Sequence, residues 1–477
     1  MSAAPEGESR RWKALGVCLL VGFMSLLDVS IVNVALPSIE QGLAAGPAEL
    51  SWVLSGYALT FGLTLIPAGV VGDMWGRRTA FLVGLASFTL ASAGCGLAPT
   101  ALALVLFRLV QGVASGLIGP QISGLIQEMF TGPERGRAFG WFGTTVGLAT
   151  AVGPLAGGLL IHAAGPAEGW RWVFFVNVPI GVLAFLLALR LIPGRAGCGS
   201  TRGGLGRRID GVGVLLLGTG LLAVLLPLIQ EQQWPGAAKW WLIPLGLALL
   251  TAFARWELRT ARSGGVPLVD PELFRSGTYV RGALLGLLYF AGFSTVFFIF
   301  TLYLQSGLGY SALTAGLAVT PFAVGSAVSA AVGGRLVTGR GRALIVFGLL
   351  LVIGGTALAA FAVHLVPGPD AGWATAGPLL LAGLGSGLVI APNQVLALAE
   401  VPLARAGTAG GVLQTAQRLG TAVGVACVGA AFFAHLASTR SWAGAFQVGT
   451  LVAVAFEVAA LAVALADLRR RRAAGAA

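Results

Sequence analysis

Residues 27–37 read Leu-Asp-Val-Ser-Ile-Val-Asn-Val-Ala-Leu-Pro, inside an apolar run from Ala14 to Ile39. About 20 apolar residues suffice to cross a bilayer, so the run predicts a membrane span with Asp28 at membrane depth. A carboxylate there costs roughly 2.5–3.5 kcal/mol on insertion scales. A group kept at that cost commonly takes up a proton, an ion or a cationic ligand. The reading of the whole chain turns on this one side chain: a scaffold that opens Asp28 to one side of the membrane and then to the other. That reading requires Asp28 to reach a central chamber rather than face lipid.

Composition agrees with a membrane scaffold throughout. The 477 residues are 56% hydrophobic and only 10% charged, where a soluble chain carries about 25%. Continuous runs rich in Leu, Ala and Gly point to helices rather than the alternating strands of a barrel. The 72 glycines suit close helix packing, because small residues let backbones approach. Of the four cysteines, Cys18, Cys95 and Cys427 fall in apolar spans and Cys198 in a loop; their spacing suits neither a metal site nor a disulfide framework. His162, His364 and His435 are scattered over outer loops. No cofactor or metal is expected. No cleavable signal peptide is expected either, the first run being too long for one. The absence of a Gly-Lys-Ser/Thr loop speaks against an ATP-driven pump, and no catalytic triad suggests an enzyme.

Fourteen spans are predicted, at 14–36, 50–71, 79–98, 102–125, 138–161, 171–192, 211–230, 239–257, 280–303, 313–334, 343–366, 376–398, 407–433 and 443–466. With the N-terminus inside, the inner side holds nearly all the cations: Arg10, Arg11 and Lys13; Arg77 and Arg78; Arg135 and Arg137; Arg190, Arg195, Arg202, Arg207 and Arg208; Arg255, Arg259, Arg262, Arg275 and Arg281; Arg335, Arg340 and Arg342; Arg405; and Arg469 to Arg472. Outside lie Arg171, Lys239 and Arg440. The positive-inside rule then places both termini in the cytoplasm of a plasma-membrane protein. It also accounts for the net charge of +12 through inner-leaflet contact, without nucleic acid.

Gly69-Val-Val-Gly-Asp73-Met-Trp-Gly76-Arg77-Arg78 after the second span is echoed by Gly334-Arg-Leu-Val-Thr-Gly-Arg-Gly341-Arg342 after the tenth. The echo implies two six-helix bundles, residues 1–192 and 279–477, with two inserted helices in 193–278. Parallel repeats with substrate held between them are an established transporter plan. The Gly- and Arg-rich stretches 193–210 and 258–278 read as flexible connections.

These residues resemble the major facilitator superfamily, in particular its fourteen-span drug:proton antiporters. Asp28 to Pro37 is similar to the first-helix motif of that group, and Gly69 to Arg78 to the loop motif of the superfamily, with Met74 where a basic residue is usual. Leu104 to Gly112 resembles the fourth-helix motif, Gly143 to Gly158 the antiporter motif of the fifth helix, and Trp170 to Gly181 and Tyr303-Leu-Gln305 further signatures. The resemblance implies a proton-coupled efflux antiporter for amphipathic organic compounds, a monomer whose partners are its substrate, protons and lipid. A dedicated exporter of one natural product is the alternative, and a non-transporting sensor a second.

Each candidate residue has a plainer reading beside its functional one. Asp28 is a proton-coupling carboxylate or a structural hydrogen bond. Arg108 takes part in proton transfer, as the resemblance implies, or forms a fixed ion pair. Gly69, Asp73, Gly76, Arg77 and Arg78 form a latch that breaks on inward opening, or only set topology. Gly143, Gly147, Gly153, Pro154, Gly157 and Gly158 make a seam on which the bundles rock, or ordinary packing. Asn33, Tyr57, Gln111, Gln121, Tyr289, Asn393, Gln394, Gln414 and Arg418 are candidate cavity residues, although aromatic belts, snorkelling and interhelix bonds explain several of them as well. Glu457 is expected to face a peripheral helix.

Overall fold

The computed structural model describes residues 4–165, 167–194, 210–230, 234, 236–265 and 267–476. Cys198, Arg195, Arg202, Arg207 and Arg208 lie outside the described residues. The helices run α1 (Ala4–Leu43), α2 (Pro47–Trp75), α3 (Arg77–Gly96), α4 (Ala101–Met129), α5 (Gly132–Ala164), α6 (Gly169–Phe175) and α7 (Asn177–Leu191). They continue through α8 (Gly211–Ile229), α9 (Leu242–Arg262), α10 (Gly277–Leu302), α11 (Ala312–Leu365), α12 (Ala371–Ala374), α13 (Ala376–Ala397), α14 (Ala406–Thr439) and α15 (Trp442–Ala476). Helices α6 and α7 form a single apolar span.

Thirteen of these stretches are long and apolar enough to cross a membrane. One of them crosses twice. Helix α11 has 54 residues, about 80 Å at 1.5 Å per residue, against a hydrocarbon core of about 30 Å. It breaks at Thr338 (ψ 114°) and Gly339 (φ 85°). Before the break Gly325 lies against Leu380 and Gly333 against Leu388, so that part runs parallel to α13. After it Gly341 lies against Leu396, Gly348 against Gly385 and Gly355 against Pro378, so the direction is reversed. The chain therefore makes fourteen crossings, as its hydropathy predicts.

Helices α1–α7 share a core built around Met24, Phe81, Phe88, Ile118 and Phe139, and α10–α15 share others around Phe300, Phe322, Phe432 and Phe446. The two groups meet along two seams. Helix α5 faces the first half of α11, with Gly140 opposite Ala330, Gly147 opposite Ala323 and Pro154 opposite Gly316. Helix α2 faces α14, with Gly69 opposite Gly407 and Leu65 opposite Gly411.

The inserted pair covers this second seam. Leu225 of α8 lies against Gly62 of α2, and Gln230 Nε2 donates to Ser55 Oγ at 2.9 Å. Helix α9 packs outside α8, Gly246 against Val224, and exposes Leu245 and Leu247.

The segment after α9 is not the free connection its composition suggests. Leu268, Val269 and Leu273 are buried. Val269 N donates to Glu257 Oε2 at 2.9 Å, and Asp270 and Glu272 both pair with Arg405. Three apolar side chains and two carboxylates dock a stretch that its glycines and arginines made look loose.

Candidate functional site: a buried carboxylate group

Asp28 lies midway along α1, on the face that turns toward α4. On α4, Arg108, Gln111 and Ser115 recur at i, i+3 and i+7, which places them on one side of a helix. Arg108 Nη1 donates to Asp28 Oδ2 at 2.6 Å and to Gln111 Oε1 at 2.7 Å. Gln111 Nε2 donates to Asp28 Oδ1 at 2.9 Å and to Ser92 Oγ of α3 at 2.7 Å. Asn177 Nδ2, from the first residue of α7, donates to Asp28 Oδ1 at 2.9 Å. Arg108 Nε donates to the Val53 carbonyl at 3.0 Å, and Ser25 and Ser115 share a hydroxyl hydrogen bond. Asp28, Gln111 and Asn177 have no exposed surface and Arg108 has 1%.

Three donors converge on one acceptor-only group, which is the arrangement an ionised carboxylate needs when water is excluded. Arg108 supplies the balancing charge. Protonating Asp28 would leave Arg108 as a buried cation without a counter-charge, so proton binding and the position of the guanidinium are tied together. Asn177 Oδ1 is buried with no hydrogen-bond partner among the described residues; it is an acceptor placed beside the carboxyl.

An aromatic column leads from this group toward the other bundle. The Arg108 guanidinium sits 4.2 Å from the centre of the Tyr57 ring. Tyr57 stacks on Phe61 at 6.1 Å with the planes 10° apart. The Arg418 guanidinium of α14 lies 4.5 Å over Phe61. Asp28 thus does not face lipid, but, having no exposed surface, it does not reach a central chamber in this conformation either, contrary to what the sequence reading required.

The remaining sequence candidates separate. Gln111 and Tyr57 belong to the Asp28 group rather than to an open cavity. Asn33 is exposed and bonds its own helix at the Val29 carbonyl, as its offset from Asp28 predicts. Gln121 is buried and donates to the Ala68 carbonyl at 2.8 Å, tying α4 to α2. Asn393 donates to the Gly282 carbonyl at 3.0 Å, Tyr289 bonds Ser386 at 2.8 Å, and Gln394 is buried. Gln121, Asn393 and Tyr289 thus stitch helices together within a bundle. Gln414, which donates to Ser123 Oγ at 3.3 Å, and Arg418 do reach across the boundary.

The Gly69–Arg78 motif is a cross-bundle junction. Asp73 Oδ1 accepts from Gly407 N at 3.0 Å, and Asp73 Oδ2 from Thr408 N at 2.8 Å. These are orphan donors in the first turn of α14, where a negative charge also meets the positive end of the helix dipole. Arg77 pairs with Asp73 at 3.0 Å and with Glu128 at 3.0 Å, and donates to the Leu403 carbonyl. Gly76, at φ 102° and ψ 129°, makes the turn between α2 and α3. Arg78 instead bonds the Leu189 carbonyl within its own bundle.

The fifth-helix seam needs one correction. Gly143, Gly147, Pro154 and Gly158 face α11, but Gly153 lies against Ser30 and Gly157 against Ile31, both on α1. At 100° per residue the two sets point about 90° apart. Gly153 and Gly157 pack the interior of the first bundle.

Sequence reasoning missed Asn177 as a partner of Asp28, together with Ser92 and the Val53 carbonyl. Asn177 stands in the Trp170–Gly181 signature, so its presence was visible, but its neighbour 149 positions away was not.

Two helix bundles making fourteen crossings, with a buried ion pair inside one of them, are the plan of a membrane transporter. The sequence profile of the Major Facilitator Superfamily matches residues 18–425, and the chain belongs to that superfamily. It is 37% identical to the "Probable actinorhodin transporter" of Streptomyces coelicolor, over 92% of this chain and 75% of that one. It is 36% identical to "Puromycin resistance protein pur8" of Streptomyces alboniger, over 96% and 91%, and 32% identical to the "Tetracenomycin C resistance and export protein" of Streptomyces glaucescens, over 94% and 82%. Among solved structures it matches the proton:xylose symporter XylE with a TM-score of 0.66 at 15% identity, over 95% of each chain. The human organic anion transporter MFSD10 matches with a TM-score of 0.66 at 15% identity, over 95% of this chain and 99% of that one.

Proposed function

We propose that this transporter is a proton-driven efflux antiporter of amphipathic organic compounds. One observation carries the reading: a carboxylate and a guanidinium, paired at 2.6 Å, are sealed inside the bundle together. Such a pair is poor value as a fold stabiliser, because desolvation offsets most of the attraction. It is well suited to a switch whose one member gains and loses a proton. Relatives named for resistance to or export of antibiotics support the direction and the kind of cargo.

In this reading the arginine-rich end lies in the cytoplasm with both termini, and residues 1–192 and 279–477 rock against each other. The Asp73 junction closes the cytoplasmic end in this conformation. Rocking must uncover Asp28, which is closed off here, and proton uptake then releases Arg108 from it. The column Tyr57–Phe61–Arg418 carries that change to the second bundle, where Gln414 and Arg418 border the substrate path.

The test is transport in proteoliposomes under an imposed pH gradient, with puromycin, tetracenomycin C and ethidium as probes. Wild type should move at least one of them against its gradient, and Asp28→Asn should not. A wild-type rate in Asp28→Asn would overturn the coupling role. Three of the relatives are each named for one antibiotic, which also favours a narrower exporter of one natural product, whereas others are named for multidrug resistance or transport; transport of one probe without competition from the others would select the narrower reading.

A further inference from the structure

A second carboxylate is enclosed among the helices, and the Asp28 group makes no use of it. Glu457 of α15 has no exposed surface. Gly292 of α10 makes room for it: a Cβ at that position would stand 2.7 Å from Glu457 Cγ. Where Asp28 has three donors, one of them an arginine, Glu457 Oε2 has no hydrogen-bond partner among the described residues.

The groups around it are neutral. Helix α10 contributes Tyr289, whose hydroxyl is engaged with Ser386 Oγ. Helix α11 contributes Thr356, and its basic and histidine side chains are elsewhere: Arg335 and Arg340 are exposed, Arg342 pairs with Asp467 and His364 lies 3.4 Å from Gln447. On α14, Arg418 lies over Phe61, Cys427 is exposed and His435 is beside Gly444. Asp467, ten residues further along α15, is held by Arg281 and Arg342.

Little in these surroundings holds a negative charge on the carboxyl. Thr356 Oγ1 lies 2.6 Å from the Val352 carbonyl oxygen and 3.4 Å from Glu457 Oε1. A hydroxyl has one proton, and a carbonyl can only accept. That one proton is shared between the Val352 carbonyl and Glu457 Oε1, so the carboxyl receives at most a long, divided hydrogen bond. An isolated carboxylate in such a place neutralises itself rather than stay charged.

We propose that Glu457 is a second proton-carrying site, in the second bundle, filled in this conformation and exchanged once per transport cycle. Its place in the cycle rests on the proton-driven reading above; its occupancy does not. Tyr289, Ser386 and Ser326 form a hydroxyl row beside it, with Tyr289 bonded to Ser386 at 2.8 Å and Ser326 to Ser386 at 3.4 Å. The row runs to the side of α11 that faces α5, where Thr144 Oγ1 donates to the Ala327 carbonyl at 2.9 Å.

Two measurements on the full-length protein test this. Infrared spectroscopy in lipid nanodiscs at neutral pH should show the carbonyl stretch of a protonated carboxyl that is lost in Glu457→Gln and shifted in Glu457→Asp. In proteoliposomes, the gradient of the best-transported probe held by a given pH gradient should correspond to one proton fewer per substrate in Glu457→Gln. If no such band is lost, the site is refuted; if the band is lost but the stoichiometry is unchanged, the carrying role is refuted. A wild-type protein that keeps the band but ignores the pH gradient would refute the proton-driven reading, and the carrying role with it, while the binding site stands. Should Glu457→Gln fail to fold, Glu457→Asp tests the site by its shifted band and Glu457→Ala tests the carried proton by its stoichiometry.

Discussion

Asp73 of α2 holds Thr408 of α14 twice, accepting from its backbone N–H at 2.8 Å and from its hydroxyl at 2.9 Å. The bonds cross the boundary between the two helix bundles, so they exist only while the arginine-rich end is closed. Bonds to a charged acceptor contribute about 1.5–3 kcal/mol each, and 1.4 kcal/mol is a factor of ten in a population. Asp73→Asn keeps the shape and removes the charge from the start of α14. It should shift the molecule at least tenfold toward opening at that end. Spin labels at Thr131 and Arg340, in a background with Cys198 and Cys427 replaced by Ser, would report it as a longer distance. An unchanged distance distribution would show that the junction does not set the equilibrium.

The Asp28–Arg108 pair should behave as a unit. Removing one member of a buried pair strands the other and costs about 3–5 kcal/mol. Asp28→Asn and Arg108→Gln should therefore each lower thermal stability markedly, while the double variant should lose clearly less than the sum of the two. Transport should stay absent in all three. Additive losses in a double-mutant cycle would mean that the two side chains do not share their energy, whatever their separation.

Gly76 and Gly354 make a paired prediction about backbone. At φ 102° an L side chain at Gly76 is strained by about 1–3 kcal/mol, although a Cβ there would meet nothing nearer than Thr79 Oγ1 at 4.0 Å. Gly354 lies inside α11 with open space around it, where alanine gains about 0.5–1 kcal/mol of helix preference. Gly76→Ala should melt lower than wild type and Gly354→Ala no lower. Equal melting temperatures would show that space rather than conformation governs the α2–α3 turn.

What could be read from the chain divides along physical lines. Insertion costs make spans and buried charges visible, so fourteen crossings, Asp28 and Arg108 stood out. Helix period puts residues three and four apart, such as Arg108 and Gln111, on one face and keeps Asn33, five residues on, off the face of Asp28. The same period would have separated Gly153 and Gly157 from Gly143 and Gly147, had it been applied to the motif as a whole. Contacts between distant helices leave no such trace. That Asn177 meets Asp28, that Asp73 caps α14, and that residues 268–273 dock on the bundle come from packing choices that no local rule fixes. Glu457 illustrates both sides: its burial was legible, whereas the neutrality of its surroundings became visible only with α10 and α11 in place.

The α5–α11 seam should tolerate no added volume. A Cβ at Gly140 would stand 2.9 Å from the Ala330 carbonyl oxygen and 3.0 Å from Gly334 Cα, distances that leave only backbone to give way. Packed interfaces have few voids and transmit such strain rather than absorb it. Gly140→Val should therefore separate the two bundles at the arginine-rich end without unfolding either, because Gly140 faces the boundary and not the interior of its own bundle. The expected result is normal membrane insertion and helicity by circular dichroism, with at least a tenfold loss of probe transport and raised access of a membrane-impermeant thiol reagent to a cysteine placed at Ala330. Gly157→Val, which would press on Ile31 inside the first bundle, should fail differently, through lost stability. If both variants unfolded alike, the distinction between the two faces of α5 would have no energetic meaning.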